Sequence, residues 1–123
     1  MRIKEGSSYP DKLSETQIME MRFGQYLEYL RIKKKLTLLS LWHVIDPDAS
    51  MAGFISAVIQ GKQKPFLPET ILKFSSIFDK DQIFYLIRLS LRDRLRKELY
   101  PYFNDEKVYE DAILHLAKTW QKL

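Results

Sequence analysis

The chain is expected to be all α, and three observations carry that expectation. Apolar residues recur at spacings of three and four in segment after segment, as one face of a helix requires. No stretch of alternating apolar and polar residues persists. Only four glycines and five prolines occur among 123 residues, of which 46% are hydrophobic and 29% charged, a profile of globular helical proteins rather than of disordered ones.

Residues 1 to 13 mix charges with Gly6, Ser7, Ser8 and Pro10 without periodicity and are expected to form a flexible N-terminal arm. Ser14 with Gln17 is a capping-box pattern that starts a first helix. From Ile18, the positions Phe23, Leu27 and Leu30 mark its inward face. It ends in Lys33-Lys34-Lys35, whose cations suit the negative end of a helix dipole and are equally suited to phosphates.

Thr37 is the expected N-cap of a second helix carrying Leu38, Leu41, Trp42 and Ile45. Asp46-Pro47-Asp48 stops it, because Pro47 disfavours the helical conformation at Asp46. A third helix from about Met51 to Gln60 has the spine Phe54, Ile55, Val58 and Ile59, with Gly61 as its left-handed closing residue. Gln63-Lys64-Pro65 and Pro68 mark a loop, and a fourth helix from about Glu69 turns Ile71, Phe74 and Phe78 inward. After a break at Asp79 to Asp81, a fifth helix to Leu99 carries Phe84, Ile87, Leu91 and Leu95 on one stripe and Arg88, Arg92 and Arg96 on another. That helix can cover a core, pair with a second copy, or do both. Tyr100-Pro101 ends or kinks it, and Asp105 to Lys122 form a last amphipathic helix through Val108, Ala112, Leu116 and Trp120.

The length suits one domain. The absence of cysteine excludes disulfides and thiolate metal sites and points to the cytoplasm. No secretory apolar segment and no run of about 18 apolar residues occurs, so no membrane association is expected. A net charge of +4 mildly favours anionic partners. Asp46 to Ser50 imitates the start of a calcium loop but has Met51 where the glycine belongs and Ala57 where the bidentate glutamate belongs, so it reads as a capped turn. His43 and His115, the only histidines, do not make a metal site even with Asp111 one turn before His115. Without a nucleophile elbow or a Gly-rich phosphate loop, neither an enzyme nor a cofactor is expected. Tyr100, Tyr102, Phe103 and Tyr109, near Arg94, Arg96 and Lys97, read as core or dimer contacts rather than as a platform for single-stranded bases or a membrane surface.

From Phe23 to Phe78 the order FGQYLEYLRIKKKLTLLSLWHVI, a turn, FISAVIQGKQKP and PETILKFSSIF resembles the phage-repressor-like helix-turn-helix family, the Xre or Cro type of transcriptional regulator. The matching positions are Phe23, Gly24, Leu27, Leu30, Arg31, Leu36 and Thr37, then Ile55, Ser56, Val58, Gly61 and Pro65. The resemblance implies a lambda-repressor-like bundle of about five helices over residues 14–80, with residues 81–123 adding C-terminal helices as a dimerisation extension. The chain departs from the family pattern at Trp42, where a small residue lets the two helices of the motif cross closely. It departs again at Asp46, where a glycine opens the turn, and at Ile59, where a glutamate usually partners the residue matching Arg31.

The resemblance implies double-stranded DNA as partner, bound by a homodimer, with the third helix in the major groove. Its reading positions are Ala52, Gly53 and Ala57, with Met51 at the mouth and Ser56 and Gln60 in reach. None is an Arg, Lys or Asn, and the one Gln stands at the far end, so direct base readout is expected to be weak. Phosphate contacts are expected from Lys33, Lys34, Lys35, Thr37, Lys62 and Lys64. The small residues Ala52, Gly53 and Ala57 equally suit the close approach of a protein partner, which leaves an adaptor module on the same fold as the alternative.

Overall fold

Seven α-helices and one 3₁₀ turn, with no strand, make up residues 12–122, the part of the chain that the computed structural model describes. The arm expected over residues 1–13 lies, apart from its last two residues, outside the described residues. The helices are α1 (Glu15–Met19), α2 (Phe23–Lys33), α3 (Leu38–His43), α4 (Gly53–Ile59), α5 (Pro68–Ile71), α6 (Lys80–Phe103) and α7 (Glu106–Gln121), with the 3₁₀ turn at Leu72–Ser76. They form two compact units that divide between Lys64 and Pro65.

In the first unit α2 and α3 both pack on α4. Ser14 caps α1 with the reciprocal Ser14–Gln17 bonds that the sequence predicts. The first expected helix, however, is two. The chain leaves helical geometry at Arg22, whose N–H is taken by the Gln25 side chain at 2.8 Å. In an unbroken helix turning about 100° per residue, Ile18 and Met21 would face away from Phe23, Leu27 and Leu30. The break lets all five be buried.

Two helix ends share one geometry. After α2, Lys35 N–H bonds Ile32 O and Leu36 N–H bonds Arg31 O; after α4, Gly61 N–H bonds Val58 O and Lys62 N–H bonds Ala57 O. Both are Schellman turns, with Lys35 (φ 58°) and Gly61 (φ 80°) in the left-handed region. The third helix thus ends where expected, although Phe54 of its spine is 50% exposed while Ile55 and Val58 are buried.

In the second unit α6 packs against α5, the 3₁₀ turn and α7. Pro68 opens α5 rather than marking a loop, and the fourth expected helix tightens into the 3₁₀ turn after one turn of α-helix. Ile71, Phe74 and Phe78 point inward as the periodicity requires. From Leu86 to Leu91 every residue of α6, Arg88 and Ser90 included, is buried, so the single expected stripe is replaced by burial all round. Ser90 Oγ donates to Phe66 O, and Arg94 Nη1 donates to Pro65 O at 2.5 Å.

The fifth helix does not end at Tyr100-Pro101. It runs to Phe103 and closes on Asn104 at φ 50°. Proline forfeits one hydrogen bond there, but Tyr100 and Phe103 both pack their rings on Tyr109 of α7, at 5.8 and 6.3 Å, and the helix is held together from outside. Arg92 lies 4.0 Å from Glu110, and Arg96 pairs with Glu106 while lying 4.4 Å from the Tyr100 ring. The arginine stripe is thus largely engaged by α7. The last helix turns a different row inward from the one expected: Tyr109, Ile113 and Ala117 are buried, whereas Val108 and Leu116 are exposed. The two rows are neighbours with identical spacing, which periodicity alone does not rank.

Two predictions test this packing. A Cβ on Gly24 would stand 2.4 Å from Ile59 O and 2.8 Å from Val58 O. Gly24→Ala should therefore lower unfolding stability in denaturant by about 2 kcal/mol, against the gain of up to about 1 kcal/mol that the change brings in an open helix. Burial pushes the Tyr109 phenol up to about 12, and its O–H donates to Arg92 O at 2.6 Å. Its contribution is complete below pH 10 and lost as pH rises toward 12, because only the unfolded chain ionises in that window. Tyr109→Phe should cost about 1 kcal/mol at neutral pH and show a smaller loss of stability between pH 9 and 12 than the parent in denaturant titrations.

Candidate nucleic-acid interface

The residues singled out by the sequence as a DNA-reading surface all belong to the first unit. Gly24 lets the last carbonyls of α4 touch the first turn of α2, a backbone approach that any Cβ would block. As a result the Gly61 turn lies against Arg22: a Cβ on Gly61 would stand 2.8 Å from Arg22 Nη1. Lys62 and Lys64 follow that turn, exposed. The fold thus brings Arg22 to the lysines at the end of α4, a neighbour the sequence reading did not identify. The resemblance pattern begins only at Phe23, and no local signal links position 22 to position 61.

Lys33, Lys34 and Lys35 are exposed but stand apart from this group, at the other end of α2. Nine residues of helix separate Gly24 from Lys33, about 14 Å at about 1.5 Å per residue. Lys33 Nζ also lies 5.8 Å from the Tyr29 ring centroid. Thr37 caps α3, accepting from Ser40 N–H at 3.0 Å and donating to Ser40 Oγ at 2.8 Å, so its hydroxyl proton is engaged within the helix.

Along α4, Ala52 and Ala57 are half-buried and Gly53 is exposed, with nothing within 4 Å of where its Cβ would be. Gln60 Nε2 donates to Ser56 Oγ at 3.0 Å, which leaves the second Nε2 proton and the carbonyl oxygen of Gln60 and the Ser56 hydroxyl proton as the polar groups for a partner. Met51 is 76% exposed. The Trp42 ring of α3 meets the Phe54 ring of α4 at 5.5 Å, and together with exposed Met51 they give the surface an apolar end. Asp46 and Asp48 are exposed in the connection before α4. His43 Nε2 donates to Ala49 O at 2.7 Å and closes that connection.

Arg31, deprived by Ile59 of the partner the family pattern supplies, pairs with Glu28 and donates from Nη1 to Leu36 O at 2.7 Å. It is committed to the turn before α3.

No helix among the described residues is long and apolar enough to cross a membrane, and no cluster of three or more His, Asp or Glu among them suits a metal ion. No family model matches the chain, and neither a curated protein nor a solved structure matches it.

The open space over Gly53 carries a prediction. Gly53→Ala should leave the fold intact and raise unfolding stability by about 0.5 kcal/mol, since alanine costs less entropy than glycine in a helix. A loss of stability on denaturant unfolding would show that the position is more crowded than its surroundings indicate.

Proposed function

We propose that the chain is a DNA-binding transcriptional regulator of the phage-repressor-like type. In this reading α3 and α4 dock as a helix-turn-helix in the major groove, and the protein acts as a homodimer. The observation that carries it is the gathering of Arg22, Lys62 and Lys64 at the Gly61 end of an exposed short helix, with Lys33 to Lys35 exposed at the other end of α2. Two separate exposed cationic groups suit phosphates at separate positions along a duplex.

Affinity comes mainly from phosphate contacts. With Ala52, Gly53 and Ala57 along the reading helix, discrimination among bases rests on methyl contacts and on Ser56 and Gln60. Asp46 and Asp48 repel phosphate near the start of α4, which places the backbone contacts toward its Gly61 end.

A second reading, a protein-interaction module on the same fold, is favoured by one observation: Met51 and Phe54 expose large apolar side chains at the start of α4.

Fluorescence anisotropy with labelled duplexes at low salt tests the first reading. Lys62→Ala and Lys64→Ala should weaken binding to all sequences about equally, each flattening the slope of log K against log salt by about 0.9 for the phosphate it gives up. Absence of duplex binding at low salt rejects DNA recognition. Gly53→Arg separates the two readings: it should preserve or raise duplex affinity, whereas a protein partnership on this face would be abolished.

A further inference from the structure

Where α6 begins and α7 stops, the second unit holds a recess of about 380 Å³. Its walls are Leu72 of the 3₁₀ turn, Phe78, and Ile83, Phe84 and Ile87 of α6. With Lys80, these α6 positions follow the i, i+3, i+4, i+7 spacing of a single helix face. Phe78, Ile83 and Ile87 are buried, whereas Leu72 and Phe84 are only half-buried, so apolar surface is left facing the recess. The polar lining residues Ser75, Asp79, Lys80 and Gln121 are all exposed and form its mouth.

We infer that this recess is a binding site for an uncharged, mainly apolar small molecule, a ring or branched hydrocarbon frame carrying one hydroxyl or carbonyl group. Size, wall chemistry and charge each point that way. Small-molecule sites run from roughly 300 to 1,000 Å³, and a partner helix, about 10 Å across, does not enter so small a volume. The wall residues are all apolar and offer water no hydrogen bonds. Cavities of that kind stay dry and take up small hydrocarbons, which restore the dispersion contacts that an empty space forfeits.

Asp79 and Lys80 are the only charged residues that line the recess, adjacent in sequence and opposite in sign. The N-terminal end of α6 and the C-terminal end of α7, opposite poles of two helix dipoles, lie at the same mouth. What an anion gains from Lys80 and α6 it loses to Asp79 and α7, and a cation fares the same in reverse. Asp79 is also engaged as the α6 cap, accepting from Gln82 N–H at 2.8 Å. Ser75 and Gln121 supply uncharged donors and acceptors, which suit a single hydroxyl or carbonyl at the open side. The site lies wholly in the second unit and does not rest on the reading of the first as a DNA-binding surface.

Fluorescence titration of the full chain with N-phenyl-1-naphthylamine, and with its anionic analogue 1-anilinonaphthalene-8-sulfonate, tests the inference. The two dyes share a skeleton and differ by the sulfonate. The neutral dye should bind saturably, one per chain, and roughly tenfold or more tightly than the anionic one, whose charge the apolar walls exclude. It should also raise the unfolding temperature as its occupancy rises. Ser75→Trp, at the exposed mouth, should weaken the neutral dye roughly tenfold with helical circular dichroism unchanged, and Leu72→Trp should do the same from the wall. Asp79→Asn keeps a capping side chain but removes the negative charge, and should shift the ratio of the two affinities about threefold toward the anionic dye; Lys80→Gln should shift it the other way. A neutral dye that does not saturate overturns the inference. So does binding indifferent to both tryptophan variants, an anionic dye that binds as tightly as the neutral one, or a ratio that neither charge change moves. Duplex binding is read in a separate titration, so this site and the proposed DNA surface stand or fall independently.

Discussion

The first unit depends on one contact between backbones: the first turn of α2 touching the last carbonyls of α4 across Gly24. Nothing larger than hydrogen fits at that position, so the helices approach more closely there than side chains would allow. The contact holds the C-terminal end of α4 against α2. Its closing turn, left-handed at Gly61, then comes to rest on Arg22, and the chain leaves toward Lys62 and Lys64. The cationic group at the end of the candidate reading helix is thus a consequence of packing as well as of composition.

The two Schellman turns show how differently one geometry can be sustained. At Gly61 the left-handed conformation is nearly free, because glycine has no Cβ. At Lys35 it is held although lysine disfavours it, with Arg31 bonded to the Leu36 carbonyl and paired with Glu28 around the same bend. Arg31 thereby acts as a local clamp on the turn into α3. In the second unit the α6–α7 hairpin does similar work with rings: Tyr109 receives Tyr100 and Phe103 and holds α6 helical through Pro101.

Much of this was legible in the sequence. The caps at Ser14, Thr37 and Asp105 and the left-handed Gly61 are local events, decided by bonds within a few residues, and the chain announces them. The break at Arg22 was missed, because no Gly or Pro flags it and only the phase of Ile18 and Met21 against Phe23, Leu27 and Leu30 marks it. The inward row of α7 was not legible. Val108, Ala112, Leu116 and Trp120 repeat every four residues just as Tyr109, Ile113 and Ala117 do, and only the ring contacts and ion pairs with α6 rank them. For the candidate site, the lysines stood out as charges, whereas Arg22 entered only through contact.

By itself the sequence determined an all-helical chain, the capped helix starts at Ser14 and Thr37, its lack of thiol chemistry and the poverty of hydrogen-bonding side chains along α4, because these follow from residue types and from spacing within one turn. The tertiary structure alone decided which row of α7 is buried, that α6 survives its proline, that Trp42 meets Phe54, and that Arg22 joins the Gly61 turn. Each of those depends on residues distant in sequence, and a one-dimensional period carries no information about which neighbour the packed chain will supply.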